Sequence, residues 1–423
     1  MNSKIDYLAG AAALDACDPL ASFRERFHIP QQENGDACIY LCGNSLGLQP
    51  RAAREYVLQE LDDWARLGVE GHFHARHPWM PYHECLTAAT ARLTGASAEE
   101  VVVMNSLTVN LHLMMVSFYR PTKERHKILI EANAFPSDQY AVKSQLRFHG
   151  YDPAEALLEL PLRPGEATHR REDIEAVLAE KGASIALVLL GGVNYYSGQV
   201  FDMARISRAA HAAGCTVGFD LAHGAGNIPL ALHDWEVDFA VWCTYKYLNG
   251  GPGSLAGCFV HRRHRERAEL PRFAGWWGHD KTTRFRMGPK FVPIPGAEGW
   301  QLSNPPILPL AALRASLEIF DAAGMDRLQE KSRQLTGYLE FLVDRIGADK
   351  VRSLTPRDAE QRGCQLSLVV PHNGRQVFQR LGERGVICDW REPDVIRVAP
   401  VPLYNTFQDV YRFAEILREE VAE

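Results

Sequence analysis

Between residues 126 and 243 short apolar runs alternate with amphipathic stretches, and this alternation constrains the fold more than any other feature of the chain. HKILIEA (126–132), ALLEL (156–160), IALVLL (185–190), CTVGFD (215–220) and VDFAVWC (237–243) read as buried strands. SDQYAVKSQLRFHG, REDIEAVLAEKG with its acidic first turn, and FDMARISRAAHAAG ending on Gly214 read as the helices between them. Strands that are apolar along their whole length need cover on both faces, which helical crossovers supply. The predicted class is therefore α/β: a mostly parallel sheet covered by helices, with right-handed crossovers. Ligands of such sheets gather beyond the carboxyl ends of the strands.

Past residue 300 the pattern changes. LPLAALRASLEIFDAAG and MDRLQEKSRQLTGYLEFLVDRIG predict a long helical segment broken near Gly324. CQLSLVV (364–370), GRQVFQRLGERG, DVIRVAP and TFQDVYRFAEILREEVAE then predict strand, helix, strand, helix, a smaller α+β domain at the C-terminus. The Pro- and Gly-rich passages at 286–309 are expected to be interdomain and active-site loops. At 423 residues and 46% hydrophobic content, the chain is long enough for two domains.

The formal charge of -6, with Lys and Arg dispersed, offers no basic stripe to a nucleic acid, and no apolar run is long enough to cross a bilayer. Asp6, Asp15 and Asp18 break the apolar patch at the N-terminus, so a secretory signal is not expected and a cytoplasmic location is. The nine cysteines form no CxxC pair, and Cys215, Cys243 and Cys258 sit in strand-like runs as small hydrophobes. His72, His74 and His77 in GHFHARH lack an accompanying carboxylate or cysteine pattern; a solvated loop is expected there, and no metal.

Three strand ends carry polar residues. VVVMN (101–105) runs through Ser106 and Thr108 into the helix-like LHLMMVSFY; free N–H groups there would form an anion cup, with simple helix capping as the alternative. Asp220 closes CTVGFD, where a buried carboxylate needs a cation or strong donors, or serves as a helix N-cap. Lys246 follows VDFAVWC within WCTYKYLNGGPG, flanked by Tyr245 and Tyr247. A lysine at the end of a buried strand is placed to act as a Schiff-base nucleophile, whereas most lysines are solvated surface charges. An anion cup, a strand-end carboxylate and a strand-end lysine together form the constellation that pyridoxal 5'-phosphate (PLP) requires for its phosphate, its pyridinium nitrogen and its aldehyde.

That set resembles the aspartate-aminotransferase-like, fold-type I PLP enzymes. CGNSLGLQP (42–50), FPSDQYA (135–141), GFDLAHGAGN (218–227), WCTYKYLNGGPG, GWWGH (275–279), SNPPILPL (303–310) and IRVAPVPLYN (396–405) bring the resemblance closer, to kynureninases. It implies an N-terminal segment, 1–45, packing on the small domain, a large PLP-binding domain at 46–305, and a small C-terminal domain at 306–423. It implies that Lys246 holds PLP and shuttles protons, that Asp220 pairs with the pyridinium, and that Leu107, Thr108 and Tyr245 reach the phosphate, with Tyr245 also a proton donor. Phe135, Pro136, Ser137, Asp138 and His223 would contact the cofactor, Phe135 by stacking. Trp276 and Asn304 would approach from the neighbouring subunit of a homodimer. Ser45, His72, Asn304 and Arg397 would surround the substrate, with Arg397 on its α-carboxylate. Taken singly, Phe135 reads as core, Trp276 as an interface aromatic and Arg397 as a surface ion pair.

The implied reaction is hydrolysis of the Cβ–Cγ bond of L-kynurenine or 3-hydroxy-L-kynurenine to an anthranilate and L-alanine, within tryptophan breakdown or NAD biosynthesis. His72 and Asn304 match the pair that favours the 3-hydroxy substrate in eukaryote-type members of the family. One departure stands out: Gly191, in LLGGVNYYSG, lies where the family often carries a small hydroxyl residue that contacts the cofactor. The runner-up reading is an aminotransferase or cysteine desulfurase-like lyase, and a non-catalytic scaffold is a third. A desulfurase needs a mobile cysteine, and Cys364 and Cys388 sit in strand-like contexts.

Overall fold

The computed structural model describes residues 7–422; Asp6, one of the residues that interrupt the N-terminal apolar patch, and Glu423, at the end of the last predicted helix, lie outside them. After the helix Tyr7–Ala16 and the short strand β1 (Ile39–Tyr40), seven strands build the main sheet. They are β2 (Val101–Met104), β3 (Lys127–Glu131), β4 (Leu157–Leu160), β5 (Ile185–Gly191), β6 (Thr216–Asp220), β7 (Phe239–Cys243) and β8 (Ala256–Val260). Their spatial order is β2-β8-β7-β6-β5-β3-β4. The run from β7 to β4 is parallel throughout, and β8 lies antiparallel between β7 and β2. The mostly parallel, helix-covered sheet is therefore as the sequence predicts.

Side chains alternate between two cores, as a strand period of two requires. Val101 and Val103 join one core and Val102 and Met104 the other; Val188 and Leu190 likewise oppose Leu187 and Leu189. Helices Leu107–Phe118 and Pro136–Phe148 cover one face with Leu111, Met115, Phe118 and Leu146. On the other face Ile206 and Ala210 of the helix Met203–Ala212 pack with Leu310 and Leu317 of the helix Ile307–Ala323. Gly324, at φ +77°, ends that helix before Met325–Ile346 begins, which is the predicted break.

The C-terminal sheet contains β9 (Arg352–Ser353), β10 (Leu366–Val369), β12 (Asp389–Arg391) and β13 (Val395–Val398), while β11 (Val386–Ile387) pairs in parallel with β1. Its core joins Leu368, Ile396 and Val398 to Leu335 and Leu339 and to Phe413 and Leu417 of the helix Phe407–Glu420. The N-terminal segment is held there by more than β1. Asp18 pairs with the buried Lys331 at 2.7 Å, Arg24 with Asp409 at 2.8 Å, and Asp15 accepts the Phe407 N–H at 2.7 Å.

Candidate active site

The carboxyl ends of β2, β3, β6 and β7 converge with the starts of two helices. β2 ends at Met104, Asn105 at φ +50° and Ser106 follow, and helix Leu107–Phe118 begins; helix Pro136–Phe148 follows β3. Ser106 and Phe135 stand at the N-cap positions, yet neither side chain makes a cap bond. First-turn N–H groups have no acceptor within their own helix, so both helix starts present amides to the same place. Thr108 Oγ1 and Ser137 Oγ, one from each helix, meet there at 3.1 Å. Of the two readings of the VVVMN–Ser106 junction, this geometry favours the anion cup.

Asp220 ends β6 almost fully buried and accepts the Ala222 N–H at 2.7 Å. Burial pushes its carboxyl up, and the charge of Lys246 works the other way. Asp138 shares a hydrogen bond with Asp220, and burial, then the charges of Asp220 and Glu131, raise its pKa well above the carboxylate range. Its Oδ1 atom is buried without a partner.

Lys246 Nζ lies 3.0 Å from His223 Nε2, 5.9 Å from the centre of the Phe135 ring and 6.0 Å from that of Tyr245. Burial, followed by the charges of Lys246, Arg397 and Arg391, holds His223 well below its ordinary pKa. A neutral ring accepting at Nε2 from the lysine carries its proton on Nδ1, and that buried atom has no partner. No ion pair joins Lys246 to Asp220 among the described residues, although the lysine's charge bears on the aspartate. Burial raises the Tyr245 hydroxyl, so it remains protonated at neutral pH. Phe135 is 43% exposed with its ring edge-on to Tyr195 at 5.2 Å, so the plain-core reading is replaced by an open aromatic face.

Arg397 is 1% exposed, which corrects the surface ion-pair reading. It sits opposite Asp389 in the β12–β13 register, donates from Nε to one carboxylate oxygen at 3.0 Å with the other 2.9 Å from Nη2 in an ion pair, and donates to the Tyr195 carbonyl at 2.8 Å. Ser45 lies in the loop before Gly47, whose N–H donates to the Tyr245 carbonyl at 2.8 Å. Only glycine fits at 47: a Cβ there would stand 2.3 Å from the Lys246 carbonyl.

Three nominated residues stay apart from this cluster. Trp276, at 43% exposure, packs on Trp277 and Phe285; His72 bonds the Val69 carbonyl at 2.9 Å and meets Trp79; Asn304 is exposed. No hydrogen bond, ion pair or ring contact joins them to Lys246, Asp220 or Arg397 among the described residues. Sequence reasoning also passed over Glu131, Tyr195 and Asp389. Glu131 carried the signal used for Asp220, a carboxylate closing an apolar strand.

Two unpartnered buried atoms, Asp138 Oδ1 and His223 Nδ1, a pair of uncapped helix starts joined through two hydroxyls, an open aromatic face and a buried carboxylate not ion-paired to the lysine suit a group with a phosphate, a heteroaromatic ring and an aldehyde. PLP has those three parts, and the residues present fit it.

Comparison with known proteins supports the same assignment. The model of the kynureninase C-terminal domain matches residues 328–417. The kynureninase of Koribacter versatilis is 64% identical over 96% of each chain, and that of Myxococcus xanthus 63% identical over 98% of this chain and 97% of its own. Among solved structures, the cysteine desulfurase CsdA of Escherichia coli superposes with a TM-score of 0.77 at 19% identity, covering 95% of this chain and 98% of its own. C-DES with glycine covalently linked to its PLP cofactor gives 0.77 at 18% identity, covering 93% and 98%. At such identities the likeness is one of fold. Cys364, moreover, is buried, with its Sγ 2.9 Å from Asn227 Oδ1, unlike the mobile thiol a desulfurase requires. With PLP as cofactor, the aspartate-aminotransferase-like fold, and close identity to kynureninases over nearly its full length, the chain belongs to the kynureninase family of hydrolases.

Proposed function

We propose that the protein hydrolyses the Cβ–Cγ bond of L-kynurenine and 3-hydroxy-L-kynurenine, giving an anthranilate and L-alanine, with Lys246, Asp220 and Tyr245 as catalytic residues. The observation that carries this is the 3.0 Å approach of Lys246 Nζ to His223 Nε2, with Asp220 buried at the next strand end and Arg397 near enough for its charge to bear on His223. PLP, when bound, supplies the electron sink for charge that develops first at the substrate α-carbon and then at the β-carbon. Lys246 Nζ would hold PLP by its aldehyde, and as a free amine it is the base that takes and carries the substrate α-proton. His223 Nε2 accepts from that amine and orients it. Asp220 would keep a proton on the ring nitrogen, and Leu107, Thr108 and Ser137 would line the phosphate end. Phe135 would stack on the ring, with Pro136 setting the start of its helix.

Arg397 binds the α-carboxylate, its guanidinium aimed by Asp389 and the Tyr195 carbonyl. Water adds to the γ-carbonyl, and the Tyr245 hydroxyl serves the proton transfers of bond cleavage. Ser45 borders the substrate. Trp276 and Asn304 complete the site of a neighbouring subunit in a homodimer, and His72 and Asn304, facing the aromatic ring, favour the 3-hydroxy substrate, because a site built to bond a hydroxyl discriminates against its absence. The reaction belongs to tryptophan breakdown or NAD biosynthesis, in the cytoplasm; no helix among the described residues is long and apolar enough to cross a membrane.

Incubation with L-kynurenine should release anthranilate fluorescence, and its absence from PLP-loaded protein would overturn the activity. kcat/KM should be higher for 3-hydroxykynurenine, and a clear preference for kynurenine would reject the roles of His72 and Asn304.

A further inference from the structure

Glu131 has no part in the roles given so far, yet it lies against the stretch of sheet that carries Asp220. It closes β3, is 4% exposed, and meets no cation at ion-pairing distance among the described residues. Both its oxygens accept the Gly191 N–H, at 3.2 and 3.3 Å. Gly191 stands opposite Asp220 in the β5–β6 register, and the next amide, Gly192 N–H, donates to the Asp220 carbonyl at 2.9 Å. A Cβ at Gly191 would come 3.0 Å from Glu131 Oε1, so the carboxyl borders the space that a side chain at 191 would enter.

We propose that Glu131 is a positioning residue of the cofactor site, taking from the neighbouring strand the place of the side chain that Gly191 lacks, and fixing through Gly191 and Gly192 the angle at which Asp220 leaves β6. The inference rests on the kynureninase reading above. The groups facing Glu131 are Asp220 on β6, Asp138 on the helix after β3, and Tyr195 in the loop after β5. Burial, with a further push from the Asp220 charge, raises the Glu131 carboxyl to about 7. Near neutrality it takes up or releases a proton beside Asp220 with no cation involved.

The test compares Glu131→Ala, Glu131→Gln and the double variant Glu131→Ala/Gly191→Ser with the wild type. The readouts are the dissociation constant for PLP added to apoenzyme and the pH midpoint of the bound-cofactor absorption, with circular dichroism reporting the fold. Glu131→Ala should weaken PLP binding about tenfold by stranding the Gly191 amide. The serine hydroxyl in the double variant should restore it to within about threefold of wild type. Glu131→Gln keeps the shape and should hold affinity within about threefold while moving the absorption midpoint. Folded Ala and Gln variants with wild-type affinity and midpoint would overturn the proposal, as would a double variant no better than Glu131→Ala. If the Ala variant does not fold, the Gln midpoint decides. A wild-type protein that takes up no PLP would instead strike the functional reading beneath it, so the two failures are distinct.

Discussion

Asp220 and Asp238 are buried aspartates at the ends of adjacent parallel strands, and their surroundings are opposite. Asp238, just before β7, accepts from His211 at 2.9 Å, His264 at 2.8 Å, the Val217 N–H at 2.8 Å and Arg263 Nε at 3.1 Å. Burial opposes its charge, but the hydrogen bonds from His211 and His264 and the Arg263 guanidinium hold its carboxyl far below the usual range. Asp220, at the carboxyl end of β6, has one backbone donor and two further carboxyls, Asp138 and Glu131, for neighbours. One carboxylate is saturated by fixed partners and locks the fold. The other has a single backbone donor and carboxyl neighbours, surroundings that suit its proposed pairing with a cationic ring.

Perturbing the two ends should separate function from stability. The largest effect is expected from Lys246→Ala, which should abolish turnover and the lysine-linked cofactor absorbance; a borohydride-reducible adduct retained in the variant would point to another lysine. Asp220→Ala comes next. Loss of one member of a buried charge pair amounts to about 3–5 kcal/mol, and about 1.36 kcal/mol is tenfold in rate, so kcat should fall about 100-fold or more while apoenzyme Tm stays near wild type. Near-normal turnover at saturating PLP would erase the contrast.

Asp238→Asn should do the reverse, lowering Tm by about 5 °C or more with kcat of the folded fraction little changed. The smallest effect lies in pH. Asp238, with its depressed folded pKa, contributes stability above the unfolded carboxyl value of about 3.9 that is lost as pH falls below it. Glu131, raised to about 7 in the fold, acts with the opposite sign: the native state holds the proton longer, so its contribution is most favourable below about 4.3 and declines as pH rises toward 7. Apoenzyme Tm should therefore fall by at most a few degrees between those limits relative to Glu131→Gln. Parallel curves for the two proteins would contradict the raised carboxyl.

Sequence patterning reaches some of this. Apolar strands with polar last residues made Asp220 and Lys246 visible, because burial of the strand leaves its terminal side chain at the sheet edge. Glu131 ends HKILIEA in the same way, but its partner is a backbone amide of Gly191, and backbone donors leave no trace in residue identity. Arg397 reads as a surface cation until Asp389 appears opposite it, a pairing set by the β12–β13 register rather than by any spacing. The antiparallel insertion of β8 is equally hidden, since an apolar run does not encode the direction of its neighbours. For Trp276 and Asn304 the proposed contacts lie between two copies, and no periodicity along one chain records them.

The glycine at 47 has a mechanical consequence. From β1, paired with β11, the chain bridges through Cys42 to Ala399, two residues past Arg397, and then presses its backbone at Gly47 onto the carbonyl of Tyr245. It acts as a tie rod between the two sheets: any tilt of the smaller one pulls directly on the main chain that carries Lys246.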